Sequence, residues 1–220
     1  MSNPSDREAM RREAVERDIR AHCEAGDHDR AATVLLESYG GEIFRFVMSR
    51  LRDDDAAGEV FSRFTEALWR GLAGFRWQCP VRVWSYTLAR HAASRYIADV
   101  RRRRAREASL SQAGPLSELR EKIRTQTLVA MRTETKQQMA ELRERLPLDE
   151  QTLLLLRVTR KMSWKDIARV LLDPSEGREL SEREIDQGAA RLRQRFQVVK
   201  EKLRQMAREE GIVVGRDEEA

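Results

Sequence analysis

Cysteine is nearly absent: Cys23 and Cys79 are the two in 220 residues. Neither belongs to a Cys-x-x-Cys pair, so neither a disulfide framework nor a zinc module is legible. Histidine is as scarce, with His22, His28 and His91 alone. His22, Cys23 and His28 lie near one another in sequence, but three scattered ligands near a polar terminus do not make a metal-site pattern. No metal or other cofactor is expected. There is no phosphate-cradling glycine loop, no nucleophile elbow and no other catalytic constellation, so the expectation is a protein that is not an enzyme. Aromatics are 6% of the chain and β-branched runs are few, which argues against sheet. No apolar run approaches the roughly 18–20 residues that span a bilayer. The charged opening from Met1 to Arg20 is unlike a signal peptide. The expectation is a cytoplasmic chain without membrane insertion.

What is abundant is charge, at 36%, and good helix formers: Ala, Arg, Glu, Leu and Gln dominate. They predict an all-α protein. Forty-two basic residues against 37 acidic ones leave a net charge of +5, which favours polyanionic partners. With the excess this small, the placement of the charges carries the argument.

Apolar periodicity predicts two small helical domains joined by a linker. Residues 1–26 are polar and are expected to form an N-terminal arm or a solvated helix. The first domain, 27–106, holds a helical stretch from Asp27 to Arg52 in which Gly40-Gly41 is a candidate break. A second helix, Ala56 to Leu72, follows with an Asp N-cap among Asp53-Asp54-Asp55. The loop Phe75-Arg76-Trp77-Gln78-Cys79-Pro80 comes next. A long helix then runs from about Val81 into Arg101-Arg102-Arg103-Arg104-Ala105-Arg106. Residues 107–132 read as the linker. The second domain, 133–210, is expected to contain helices over Thr133–Leu146, 149–159 and Trp164–Leu172, the last capped by Ser163. A loop over 173–180 and a final helix reaching Glu210 complete it. Ser181-Glu182-Arg183-Glu184 fits a capping box at the start of that helix. Residues 211–220 form an acidic tail.

Helix, turn and basic helix is the pattern of a helix-turn-helix, with Trp164–Leu172 in support and the helix from Ser181 in recognition. Ser181, Arg183, Glu184 and Gln187 are candidates for base edges; Arg191, Arg193, Arg195 and Lys200 are candidates for phosphates. The same spacing also suits a solvated helix laced with ion pairs. In the first domain Trp77, Trp84, Tyr86 and Tyr96 alternate with Arg76, Arg82, Arg90, His91 and Arg95. Aromatics beside cations suit unstacked bases. Trp84 reads as core and loop residue Trp77 as an exposed contact. The arginines 101–104 extend the basic surface or complement the end of the helix dipole.

Three segments in this order resemble the bacterial RNA polymerase sigma factors of the extracytoplasmic-function type. AAGEVFSRFTEALWRGL (56–72) resembles the region 2 helix that docks on the coiled coil of the polymerase's largest subunit. WSYTLARHAASRYIADVRRRR (84–104) resembles the helix that melts and reads the minus-10 element. LRERLPLDEQTLLLLRVTRKMSWKDIARVL (142–171) resembles the start of region 4. The resemblance implies a region 2 bundle and a region 4 helix-turn-helix. It implies core RNA polymerase and promoter DNA as partners, and it is compatible with an anti-sigma factor. Glu59, Ser62, Arg63, Glu66 and Trp69 would then face polymerase. Trp77, Arg82, Arg90, His91, Arg95 and Arg101, Arg102, Arg103 and Arg104 would face the minus-10 element, and the recognition helix would read minus-35.

The chain departs from the family at several points. Its docking helix opens Asp55-Ala56-Ala57-Gly58-Glu59, thinner in acidic and amide groups than is usual. His91 and Arg95 stand where Asn and Asp are typical. Residues 173–180 lengthen the turn, and Glu184-Ile185-Asp186-Gln187-Gly188 replaces the usual recognition-helix opening. A sigma-like regulator that does not support initiation and an all-helical protein-interaction module are the rival readings.

Overall fold

The computed structural model describes residues 4–104, 142–172 and 180–210, with the backbone alone at residues 4, 5, 101, 103 and 104. Among these residues the regular structure is all helical, and no helix is long and apolar enough to cross a membrane. They fall into two compact units. The expected linker 107–132, the opening of the second domain to residue 141, residues 173–179 and the tail 211–220 lie outside the described residues.

The first unit is built from α1 (Pro4–Glu24), α2 (His28–Leu51), α3 (Asp54–Leu72) and α4 (Val81–Arg104). Asp27 caps α2 by accepting from the Arg30 N–H at 3.0 Å, and Asp53 caps α3 by accepting from the Ala56 N–H at 2.7 Å. Each cap satisfies one of the N–H groups that a helix start leaves without a partner. Arg52, at φ 53°, closes α2 in the left-handed conformation, and its N–H returns to Met48 O at 2.9 Å.

The core lies where α2, α3 and α4 meet. Phe44 meets Phe61 edge-on with ring centres 5.3 Å apart, and Phe46 meets Tyr86 in the same way at 5.1 Å. Leu35, Ile43, Val60, Phe64, Leu68 and Ala93 fill the space around them and are fully buried. Each large side chain removed from water contributes roughly 1.5–3 kcal/mol, which holds these helices more firmly than propensity does.

Two expectations change here. Gly40-Gly41 does not break α2, which runs unbroken from His28 to Leu51. Buried Leu36, Tyr39, Ile43 and Phe44 flank the pair and anchor both halves to one core, which overrides glycine's weak local preference. Within the expected N-terminal arm, Pro4–Glu24 does not stand apart either: it forms α1, which packs along α2, and Ile19 is completely buried. Buried Ile19 and the long-range hydrogen bonds of Glu16 described below help to hold it, and helix periodicity does not register the latter.

The second unit holds α5 (Leu148–Leu154), which continues through a wider turn over Leu155–Thr159, then α6 (Trp164–Leu171) and α7 (Glu182–Glu209). In the wider turn the Arg160 N–H reaches five residues back to Leu155 O at 2.9 Å, so the expected helix 149–159 is α-helical only in its first part. Leu146, Leu154 and Val199 form one apolar cluster with Phe196, Leu203 and Met206; Ala168, Ile185 and Ala189 form a second with Trp164, Leu172 and Leu192.

Gly188 of α7 lies against α6 and the residue that ends it. A Cβ there would lie 2.4 Å from Leu172 Cδ1, 3.3 Å from Leu172 Cγ and 3.5 Å from Ala168 Cβ. The Leu172 tip can turn aside for one methyl group but not for a branched side chain. Gly188→Val is expected to destabilise the second unit by about 1–3 kcal/mol through overpacking. An unchanged denaturation midpoint for Trp164 fluorescence, read with the other three tryptophans replaced, would refute this.

Candidate nucleic-acid interface

The start of α4 follows Pro80 and is capped from a distance. Glu16 on α1 accepts the Val81 N–H at 2.7 Å and the Arg82 N–H at 3.0 Å, one with each carboxylate oxygen. A carboxylate at this end also meets the positive pole of the helix dipole. One helical turn further along α1, the Arg20 guanidinium lies 5.4 Å from the centre of the Trp77 ring. Trp77 packs at 4.9 Å against Phe75, which stacks at 4.6 Å on Trp84. The rings therefore run as a chain from α4 through the loop to α1.

Trp77 is half-buried within this chain and less open than a loop aromatic would suggest. Its φ of 56° puts a bulky residue in the left-handed region, a strain of order 1–3 kcal/mol that surrounding contacts must offset. Trp84, expected in the core, is also half-buried. It reaches its place because Gly71 has no side chain: a Cβ there would lie 2.9 Å from the Trp84 ring.

The basic candidates of α4 separate by depth. Arg82 is buried, and its Nε and Nη2 donate to the two oxygens of Glu42 at 2.5 and 3.0 Å. It lies in the interior, turned to Glu42. Burial, the largest single effect, opposes its charge, and the hydrogen bonds and charge of Glu42, with smaller contributions from Tyr86 and Tyr39, together hold its pKa above the ordinary range. Arg90 is also buried; its Nη2 lies 2.8 Å from His91 Nε2. A guanidinium can only donate, so that contact needs Nε2 as acceptor and a neutral His91 ring. Arg95 and Arg102 are exposed. The side chains of Arg101, Arg103 and Arg104 lie outside the described residues.

The face expected to meet polymerase is partly engaged internally. Arg63 donates to Glu59 at 2.6 Å and to Asp99 of α4 at 3.0 Å, and Arg102 donates to Asp99 at 2.9 Å. The hydrogen bond from Arg63, and next that from Arg102, hold the Asp99 carboxyl below its usual range. Glu66 pairs with Arg70 at 2.6 Å, and the Trp69 indole N–H donates to Asp29 at 2.6 Å. Ser62 is half-buried on the same helix.

In the second unit Ser181 and Glu184 form the expected capping box. The Glu184 carboxylate accepts from the Ser181 N–H at 2.9 Å and from its hydroxyl at 2.6 Å. These two side chains, Ser181 exposed and Glu184 half-buried, are engaged in starting α7, and the base-edge candidates Arg183 and Gln187 are exposed beside them. α6 pins the same turn: Lys165 pairs with Asp186 at 2.7 Å and Arg169 with Glu182 at 3.1 Å. Arg183, Gln187, Arg191 and Arg195 are exposed and follow one another at four-residue spacing, which puts successive members on neighbouring turns. Arg193 stands apart from them. It lines a shallow groove of about 440 Å³ with Arg157, Trp164 and Lys165, where the Arg157 guanidinium lies 4.7 Å from the Trp164 ring centre. Lys200 is half-buried.

Sequence reasoning missed Glu16, Arg20, Glu42, Asp29 and Asp99, because each acts on a partner in another helix. Among the described residues no group of three or more His, Cys, Asp or Glu could hold a metal ion. No family model matches this chain, and no curated protein matches it.

Proposed function

We propose that this chain is a sigma-type transcription initiation factor, acting in the cytoplasm. Its first unit would bind core RNA polymerase and capture an unpaired minus-10 base. Its second would bind duplex DNA at minus-35. The observation that carries the reading is the exposed row Arg183, Gln187, Arg191 and Arg195 on a helix that starts in a capping box and is braced by α6. Arg and Gln near the start of such a helix match guanine and adenine edges, and the arginines beyond them match phosphates. The ordered likeness of segments 56–72, 84–104 and 142–171 to sigma regions 2 and 4 adds the polymerase. The chain of Trp84, Phe75 and Trp77 beside Arg20 suits a single-stranded base.

The test is co-purification with bacterial core RNA polymerase, followed by transcription from bound genomic fragments. A stable complex and promoter-specific transcripts are expected.

One observation favours a second reading, a sigma-like regulator that does not initiate. In the docking segment Arg63 is tied to both Glu59 and Asp99, and Trp69 to Asp29. Salt-sensitive DNA binding without core binding would move the chain to this reading. Neither activity would leave an all-helical interaction module.

A further inference from the structure

We infer that α1 is a working part of the base-capture site: Glu16 and Arg20 set the position of the loop that carries Trp77. This rests on the initiation reading above. The two residues stand one turn apart on α1 and grip the loop at separate points. Glu16 holds the Val81 and Arg82 N–H groups where the loop becomes α4. Arg20 lies over the Trp77 ring. Between those points Trp77 keeps a left-handed backbone that a tryptophan does not favour.

A strained residue held by contacts from another helix is what preorganisation of a binding loop requires. An unpaired base must find an aromatic face already in position, since ordering the loop at the moment of capture subtracts from affinity. Arg20 itself is 56% exposed on its side chain and is paired with Glu24 at 2.8 Å. A planar cation beside the ring is thus open to the same solvent from which a base would arrive. Its removal leaves the apolar core untouched.

The experiment uses the full chain with core polymerase and compares Arg20→Ala and Glu16→Gln with the unaltered protein. Three quantities are measured: thermal midpoint, affinity for core, and permanganate reactivity of thymines at the minus-10 element of a promoter that the chain transcribes. For Arg20→Ala the midpoint and core affinity are expected to stay as they were while strand opening falls about tenfold, the worth of one base-stacking contact. Glu16→Gln keeps a hydrogen-bond acceptor but loses the charge, and it is expected to fall between the two. Undiminished opening by Arg20→Ala would overturn the inference. So would a loss of opening matched by an equal loss of core binding, since that marks a structural role. An unaltered chain that neither binds core nor opens DNA would overturn the initiation reading and this inference with it. An unaltered chain that opens DNA alongside an equally active Arg20→Ala chain overturns this inference alone.

Discussion

Glu42→Ala is expected to destabilise the first unit by about 3–5 kcal/mol, the usual cost of breaking a buried ion pair. The pair is well enclosed, with 8% of the Arg82 side chain and 16% of the Glu42 side chain exposed. Removing Glu42 leaves the Arg82 guanidinium between the Tyr39 and Tyr86 rings, 5.9 and 5.8 Å from their centres, without its carboxylate. Against a typical domain stability of about 5–15 kcal/mol this is a large fraction. With a urea slope near 2 kcal/mol/M the midpoint falls by about 2 M. Removing both charges together is a different experiment. Arg82→Met with Glu42→Leu keeps the volume and discards the desolvation cost, so the double variant is expected within about 1 kcal/mol of the unaltered chain or above it. Urea denaturation of the three proteins, followed by tryptophan fluorescence, makes the comparison. The same double variant asks whether Arg82 serves DNA. Its burial predicts that promoter opening survives the replacement, and loss of opening with full stability would return Arg82 to the DNA-contact set.

What could be read from the residues divides along the range of the interactions. Ser163 and Ser181 were legible as caps because a cap bonds to N–H groups two or three residues away, and the helices they open begin where the local pattern predicts; among Asp53-Asp54-Asp55 the cap is Asp53, so α3 begins two residues before the expected Ala56. Helix spacing puts Val60, Phe61, Phe64, Ala67 and Leu68 on one apolar stripe of α3, and all of these but the half-buried Ala67 are buried, since helix periodicity is local.

Arg82 and Arg95 show where this ends. Both sit in one basic helix, each next to an aromatic within two residues. Arg82 is buried on a glutamate 40 positions earlier in the chain, and Arg95 is exposed. Nothing within a few residues of either separates them. Glu16 is a similar case: it reads as one more charge on a polar N-terminal segment, and its partners are the Val81 and Arg82 N–H groups. Ser181 and Glu184 are the opposite case. The capping box was legible, and the hydrogen bonds that make it occupy the groups that would otherwise face a base.

Removing the charges of Arg191 and Arg195 together is expected to flatten the salt dependence of duplex binding by nearly two units in log K against log salt. Each phosphate contact contributes about 0.9 to that slope on double-stranded DNA. At about 0.1 M salt the affinity should fall roughly tenfold per arginine, and by a similar factor on every sequence, because phosphate contacts carry no base information. Arg183→Ala should act differently. It leaves the phosphate row in place and removes a group suited to guanine, so it is expected to relax preference at one position by about 1–3 kcal/mol with a smaller change in slope. Arg193→Ala provides the internal contrast. Arg193 stands off the row, beside Trp164 and Lys165 in the groove, so its removal should leave the slope closer to that of the unaltered chain. Fluorescence anisotropy on duplexes across a salt series measures all three. Equal slopes for the unaltered chain and the Arg191→Ala, Arg195→Ala variant would mean that the exposed row is only a solvated face. A slope lost with Arg193 in place of Arg191 and Arg195 would turn the duplex to the groove side of α7, and with it the choice of residues that read the bases.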